Sequence, residues 1–266
     1  MTALTDNSPL TVELRAVVQR YAELARSAAD DTRRLAGSAW TVREAVAHLA
    51  TAAPRFVKFP QGTQRVADRP ADLPALNAEE IEALGDRTVA ELLSLLEDSV
   101  EEAIGHIKAY GDKPPVFCFH GGCLISADVA LGVLLGELVV HGWDLARELN
   151  RSWQITRQQV LLIWSGMEPI LPGWVDPARA AGHSAVYAVH LGDGSPRRLC
   201  FTNGRIAGTV PAGWRTDCHI GGGPAAILLV LYRRRSPWRA AATGRVVAWG
   251  RRPWLAFSLA DRFCLP

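Results

Sequence analysis

The chain has 266 residues, 48% of them apolar and 21% charged, with a mean hydropathy near zero. That composition excludes a disordered chain, because this much apolar surface offsets the entropy of ordering once it is buried. The longest uninterrupted apolar run, Ala225 to Tyr232, is eight residues and argues against a membrane span, which needs roughly 20. The formal net charge of +2 hides an asymmetry: residues 185–266 carry 12 Arg, no Lys and three acids (Asp193, Asp217, Asp261), or +9, leaving 17 bases and 24 acids, or −7, elsewhere.

The opening MTALTDNSPL lacks the basic start and apolar stretch of a secretory signal. Five cysteines (Cys118, Cys123, Cys200, Cys218, Cys264) form no regular framework, which points to reduced thiols and a cytoplasmic location. The first 170 residues read as helices. Val12, Val17, Val18, Tyr21, Leu24 and Ala25 recur at helical spacing over residues 11–28. Thr41 with Glu44 is a capping box that starts a second helix, and Pro54 marks its expected end. Thr88 with Glu91 starts a helix to about residue 110, Ser126 opens one to about residue 150, and Thr156 with Gln159 starts another to about residue 167. Four long helices make a bundle.

Beyond Pro172 the pattern changes. Residues 185–191 alternate and are β-rich, and Asn203-Gly204 is a hairpin turn between strands 198–202 and 205–210. Residues 223–234 read as helix, 245–249 as strand and 254–263 as a last helix. The fold class is therefore α+β in two domains, a helix bundle over residues 1–172 and a small α+β domain over 183–266. The loop 171–184 between them coincides with the charge step.

Glu137 and His141 stand four apart, one turn above the other on one helix face with Ala130, Val133, Leu134 and Leu145. Desolvating a carboxylate and an imidazole is costly unless they find partners. His48 lies on the second helix among Ala45, Leu49 and Ala52. Two imidazoles and a carboxylate converging in a bundle core would form a divalent-metal site with open positions. Spacing alone leaves two other readings open, a hydrogen-bonded core histidine and a helix ion pair.

The segments Trp40-Thr-Val-Arg-Glu-Ala-Val-Ala-His48-Leu49 and Glu137-Leu-Val-Val-His141-Gly-Trp-Asp144-Leu-Ala146 resemble the two signature stretches of the mycothiol-dependent maleylpyruvate isomerase family. The resemblance implies a DinB-like four-helix metal domain over roughly residues 10–170, with His48, Glu137 and His141 as ligands of a divalent ion, usually zinc. Nickel, cobalt or iron would suit the same donors. Residues 222–232 and 244–256 resemble the sterol-carrier-like domain often fused to such bundles, although Arg233-Arg234-Arg235 departs from the usual Gly-Arg pattern. The implied chemistry is activation of the low-molecular-weight thiol mycothiol for attack on a small-molecule electrophile, with an isomerase or an S-transferase outcome.

Asp144, one turn beyond His141, is either a hydrogen-bond partner that holds the imidazole or a partner for Arg147. Trp40 and Trp143 read as bundle packing. Cys118 and Cys123 flank His120 in what reads as a Gly-containing loop rather than a zinc site, and His120 and Arg87 are candidate substrate contacts. The basic cluster from Arg233 to Arg252 lacks a reading helix or an RNA-binding motif, which argues against nucleic acid. The competing function is a non-catalytic small-molecule or lipid carrier with a structural bundle. Oligomeric state is not legible in the sequence.

Overall fold

The computed structural model describes residues 4–35, 38 and 40–264. The chain divides into two compact units, one of residues 1–154 and 162–169, the other of 155–161 and 170–266.

In the first unit, α1 (Pro9–Arg26), α2 (Val42–Lys58), α4 (Val89–Lys108) and α5 (Ala127–Glu148) pack together, and the shorter α3 (Leu73–Ala83) lies on α2. The capping boxes at Thr41 and Thr88 are both formed, each with side chain and backbone bonded reciprocally. Pro54 does not end α2. The helix runs one further turn to Lys58 and buries Phe56 and Val57 with small Ala50 and Ala53 nearby. That burial offsets the one backbone hydrogen bond the proline removes.

Among the described residues one helix, α5, is long and apolar enough to cross a membrane, and most of it is buried inside the fold. Its apolar residues are broken up by glycines and Glu137, so an uninterrupted-run count overlooks it. Burial on nearly every face explains the composition. The segment before α5 is a hairpin rather than a plain loop: β1 (Val116–Phe119) pairs antiparallel with β2 (Cys123–Ser126), Phe119 opposite Cys123. Gly121 and Gly122 both have positive φ, 79° and 71°, which a three-residue turn through His120 requires.

A helix α6 (Arg157–Met167) begins at a third capping box, with Thr156 Oγ1 accepting from the Gln159 N–H at 3.1 Å and Gln159 Oε1 accepting from the Thr156 N–H at 3.0 Å. The second unit then holds α7 (Pro177–Ala180) and a five-stranded sheet ordered β5-β4-β3-β6-β7. The strands are β3 (Ala185–Val189), β4 (Arg197–Thr202), β5 (Arg205–Ala207), β6 (Cys218–Gly222) and β7 (Val246–Trp249). Only the β3–β6 pair is parallel. Asn203 and Gly204, at φ 48° and 80°, make the expected turn between β4 and β5.

Between β6 and β7 stand α8 (Pro224–Leu231) and α9 (Pro237–Ala242). The expected last helix is replaced by two 3₁₀ segments, Pro253–Ser258 and Ala260–Arg262. Leu255, Leu259 and Phe263 recur every fourth residue and so read as a helix. Tighter i→i+3 turns bury the same three side chains.

Candidate metal centre

The Thr41 cap fixes where α2 begins, and two turns later α2 carries His48, which is 4% exposed. On α5, one helical turn separates Glu137 from His141, itself 8% exposed. The three side chains meet. His48 Nε2 lies 3.3 Å and His141 Nε2 lies 3.4 Å from the same oxygen, Glu137 Oε2. One donor atom from each residue falls within 4.8 Å of the others. Both distances exceed the usual N–H···O optimum. With metal–ligand bonds of about 2.0–2.1 Å, tetrahedral donors stand about 3.3–3.4 Å apart, so the spacing suits three donors around a common centre.

Protonation points the same way. Burial pulls the His48 imidazole down to about 4, against the opposing pull of Glu137 and with help from the charges of His141 and Arg55. Its ring is then neutral at pH 7, the form that ligates. Burial pushes the Glu137 carboxyl up, but the contacts and charges of His141 and His48 outweigh it and hold the group well below the usual carboxylate range. A carboxylate and two imidazoles offer the hard and borderline donors that a divalent ion such as zinc takes.

Around these three, Asp144 is buried with Oδ2 3.7 Å from His141 Nδ1, on the side of the ring away from Glu137. His48 Nδ1 is buried and has no hydrogen-bond partner among the described residues. Trp40, read from the sequence as packing, has its ring 4.5 Å from that of His48 and 5.5 Å from that of His141. It walls the cluster. Its position directly before the Thr41 cap is the one signal that placed it near His48. Gly142 is required beside the site: a Cβ there would stand 2.1 Å from the Trp153 ring, which packs over α5 and donates to the Val139 carbonyl.

His120 and Arg87 have different fates. His120, in the β1–β2 turn, is 3% exposed and lies against Phe59 and Phe119. Its Nδ1 accepts the Ala67 N–H at 3.0 Å, so the proton of the neutral ring sits on Nε2. Burial and the charge of Arg55 hold it down at about 4, while Glu137 acts in the opposite direction. Arg87 is exposed ahead of α4, its guanidinium on the Leu84 carbonyl, and does not join the cluster. Cys118 and Cys123 lie on opposite strands of the hairpin, and neither forms a disulfide among the described residues.

Comparisons with known proteins agree with this architecture. Two solved structures of mycothiol-dependent maleylpyruvate isomerase, one of them a histidine-to-alanine mutant, superpose with TM-scores of 0.57 and 0.56. They are 17% and 18% identical to this chain, over 93% of it and 95% of each of theirs, and share its fold. No curated protein matches the chain. The family model described as the mycothiol maleylpyruvate isomerase N-terminal domain matches residues 10–146, a span that holds His48, Glu137 and His141. With half of its length matched by that model, the chain belongs to the mycothiol-dependent maleylpyruvate isomerase family.

Proposed function

We propose that this protein is a metal-dependent, mycothiol-dependent isomerase in which His48, Glu137 and His141 hold one divalent ion, zinc first among the candidates. The observation that carries the reading is the approach of both imidazole Nε2 atoms to one oxygen of Glu137, at 3.3 and 3.4 Å, within the segment that matches the family. Three protein donors leave a position for an exogenous sulfur. A divalent ion there supplies the charge that keeps a thiol deprotonated near pH 7, where a free thiol with a pKa of about 8.5 is mostly protonated.

The chain's own residues do the rest. Glu137 gives the site one negative charge, so a thiolate and an M²⁺ ion together bring it near neutrality. His48 stays neutral and directs its Nε2 lone pair inward. Asp144 orients His141 from behind the ring, as a carboxylate does for many ligating imidazoles. Trp40 covers the two imidazoles and keeps water from them. His120, with its proton on Nε2, is a donor for an electronegative group of the substrate. The mycothiol sulfur then adds to an electrophilic carbon of the substrate, rotation about the former double bond follows, and expulsion of the thiol restores the double bond.

The test is metal analysis together with turnover. Purified protein should carry about one divalent ion per chain, and with mycothiol it should convert maleylpyruvate to its trans isomer while regenerating the free thiol. A stable thioether product would instead establish an S-transferase. Protein that takes up no ion, and whose melting temperature zinc does not raise, would rule the reading out.

A further inference from the structure

Beyond the three donors, α2 carries a further polar group into the bundle. Arg55 is 6% exposed, and its guanidinium is engaged along one edge. Nε donates to Glu80 Oε2 at 2.9 Å, and Nη2 donates to the same oxygen and, at 2.7 Å, to Asn77 Oδ1. Asn77 and Glu80 stand one turn apart on α3, and Gln64 Nε2 donates to the other Glu80 oxygen at 3.1 Å. These contacts fix where the guanidinium sits. Nη1 makes no hydrogen bond among the described residues, so both of its N–H donors are uncommitted on a buried cation.

Helix geometry places this cation beside the site. At about 100° per residue, Arg55 and Phe59 fall within about 20° of the α2 face that carries His48. Phe59, which caps the helix, is the ring against which His120 lies, with centroids 5.1 Å apart. One face therefore runs from a metal donor, through the guanidinium, to the aromatic support of His120. Electrostatics agrees with that placement. Burial is the main reason that both imidazoles titrate low, and the charge of Arg55 adds to it at His48 and at His120 alike. Stability does not account for the arrangement: a buried ion pair can often be replaced by apolar side chains without loss, and tying α3 to α2 uses no donor on Nη1.

We propose that Arg55 binds a carboxylate of the substrate through its Nη1 donors, at the end of the molecule away from the carbon that the thiol attacks. The inference rests on the isomerase reading for the reaction and adds to it a substrate class: small electrophiles with a free carboxylate, as against their neutral amides. The edge held by Glu80 and Asn77 orients the guanidinium, and the carboxylate on Nη1 completes a charge-assisted contact. Glu80 shares the cation, so it limits how tightly an anion is held.

Calorimetry on the full-length protein tests it with maleate and the neutral diamide maleamide, all variants being compared at equal metal content. A hydrogen bond to a charged group is worth about tenfold or more in affinity, so maleate should bind at least about tenfold tighter than maleamide. Arg55→Gln should remove that preference. Glu80→Gln keeps an oxygen for the guanidinium but removes the competing charge, and should tighten maleate by about threefold. A purely structural pair would leave maleate unchanged or weaken it. Glu80 is partly exposed, so this second variant decides the matter where Arg55→Gln fails to fold. Absence of maleate binding, equal affinity for acid and diamide in the unaltered protein, a preference that survives Arg55→Gln, or no tightening in Glu80→Gln would each overturn the proposal. Turnover separates it from the isomerase reading. Protein that takes up no ion yet binds maleate through Arg55 loses that reading alone, whereas turnover of maleylpyruvate with a KM unmoved by Arg55→Gln loses this proposal alone.

Discussion

Each unit of the molecule holds a pair of neighbouring histidines, and the two pairs are built differently. In the bundle, His48 and His141 meet edge to face with ring centroids 5.0 Å apart, and both Nε2 atoms turn to Glu137. In the second unit, His190 Nε2 and His219 Nδ1 are 3.1 Å apart, so one ring donates to the other, and His219 stacks on Trp249 with planes at 10°. The second pair satisfies itself. The first is kept from doing so by a carboxylate placed between its nitrogens. Two imidazoles are therefore not the signature of a metal centre; a third donor toward which both nitrogens turn, so that all three donors face one point, is. Among the described residues His48, Glu137 and His141 are the one group of three or more donors that converges in this way.

The strongest test of that contrast removes one imidazole from each pair. His141→Ala should lose the ion on dialysis and lower thiol-dependent turnover by more than ~100-fold, since even partners behind the ligands cost 10–100-fold when removed. His219→Ala should leave metal content and turnover as they were. Metal analysis beside a kinetic assay reads both, and loss of the ion in the His219 variant would erase the distinction between the pairs.

A smaller effect compares one isolated imidazole from each unit. His120 in the bundle and His183 in the second unit are both held at about 4, each chiefly by burial. Arg55 adds to the effect at His120, and Arg262 and Arg252 add to it at His183, with Asp217 opposing them there. An unfolded histidine titrates near 6.5. The folded value is the lower one, so each group's contribution is complete above about pH 6.5 and is lost as pH falls toward 4. Across that window each should steepen the fall in unfolding free energy by about 1.4 kcal/mol per pH unit. Urea titrations of metal-free protein between pH 4.5 and 6 should show a shallower slope by one proton in His120→Gln and again in His183→Gln. A slope unchanged in either variant would mean that its imidazole is protonated in the fold.

What was legible in the sequence follows the same division. Capping boxes at Thr41, Thr88 and Thr156 located three helix starts because each is a local hydrogen-bond pattern written within four residues. The donor cluster was legible because Glu137 and His141 share a turn, while His48 came from its apolar neighbours and from the family resemblance. The β1–β2 hairpin carries the sequence signals of a loop: its strands are four residues each, although Phe117 and Phe119 alternate and two glycines follow His120. β6, carrying two glycines, and the six-residue α9 were too short to show a period.

The smallest expected effect concerns how far the bundle site depends on its helix start. Thr41→Ala removes the acceptor of the Glu44 N–H and should cost about 1 kcal/mol. Thr156→Ala removes the matching acceptor at the start of α6 and should cost about the same. The two differ in what lies next to them. Trp40 directly precedes the first cap and lies on His48, whereas no metal donor stands beside Thr156. Yet α2 is also held by Val46, Leu49 and Phe56, all buried, so fraying should stop at its first turn, above His48. Chemical denaturation should give near-equal losses for the two variants, and zinc titration should give an unchanged stoichiometry in both. A weakened zinc affinity in Thr41→Ala alone would make the cap and Trp40 part of the metal centre, because the loss would then travel through the Trp40 ring, which touches both imidazoles.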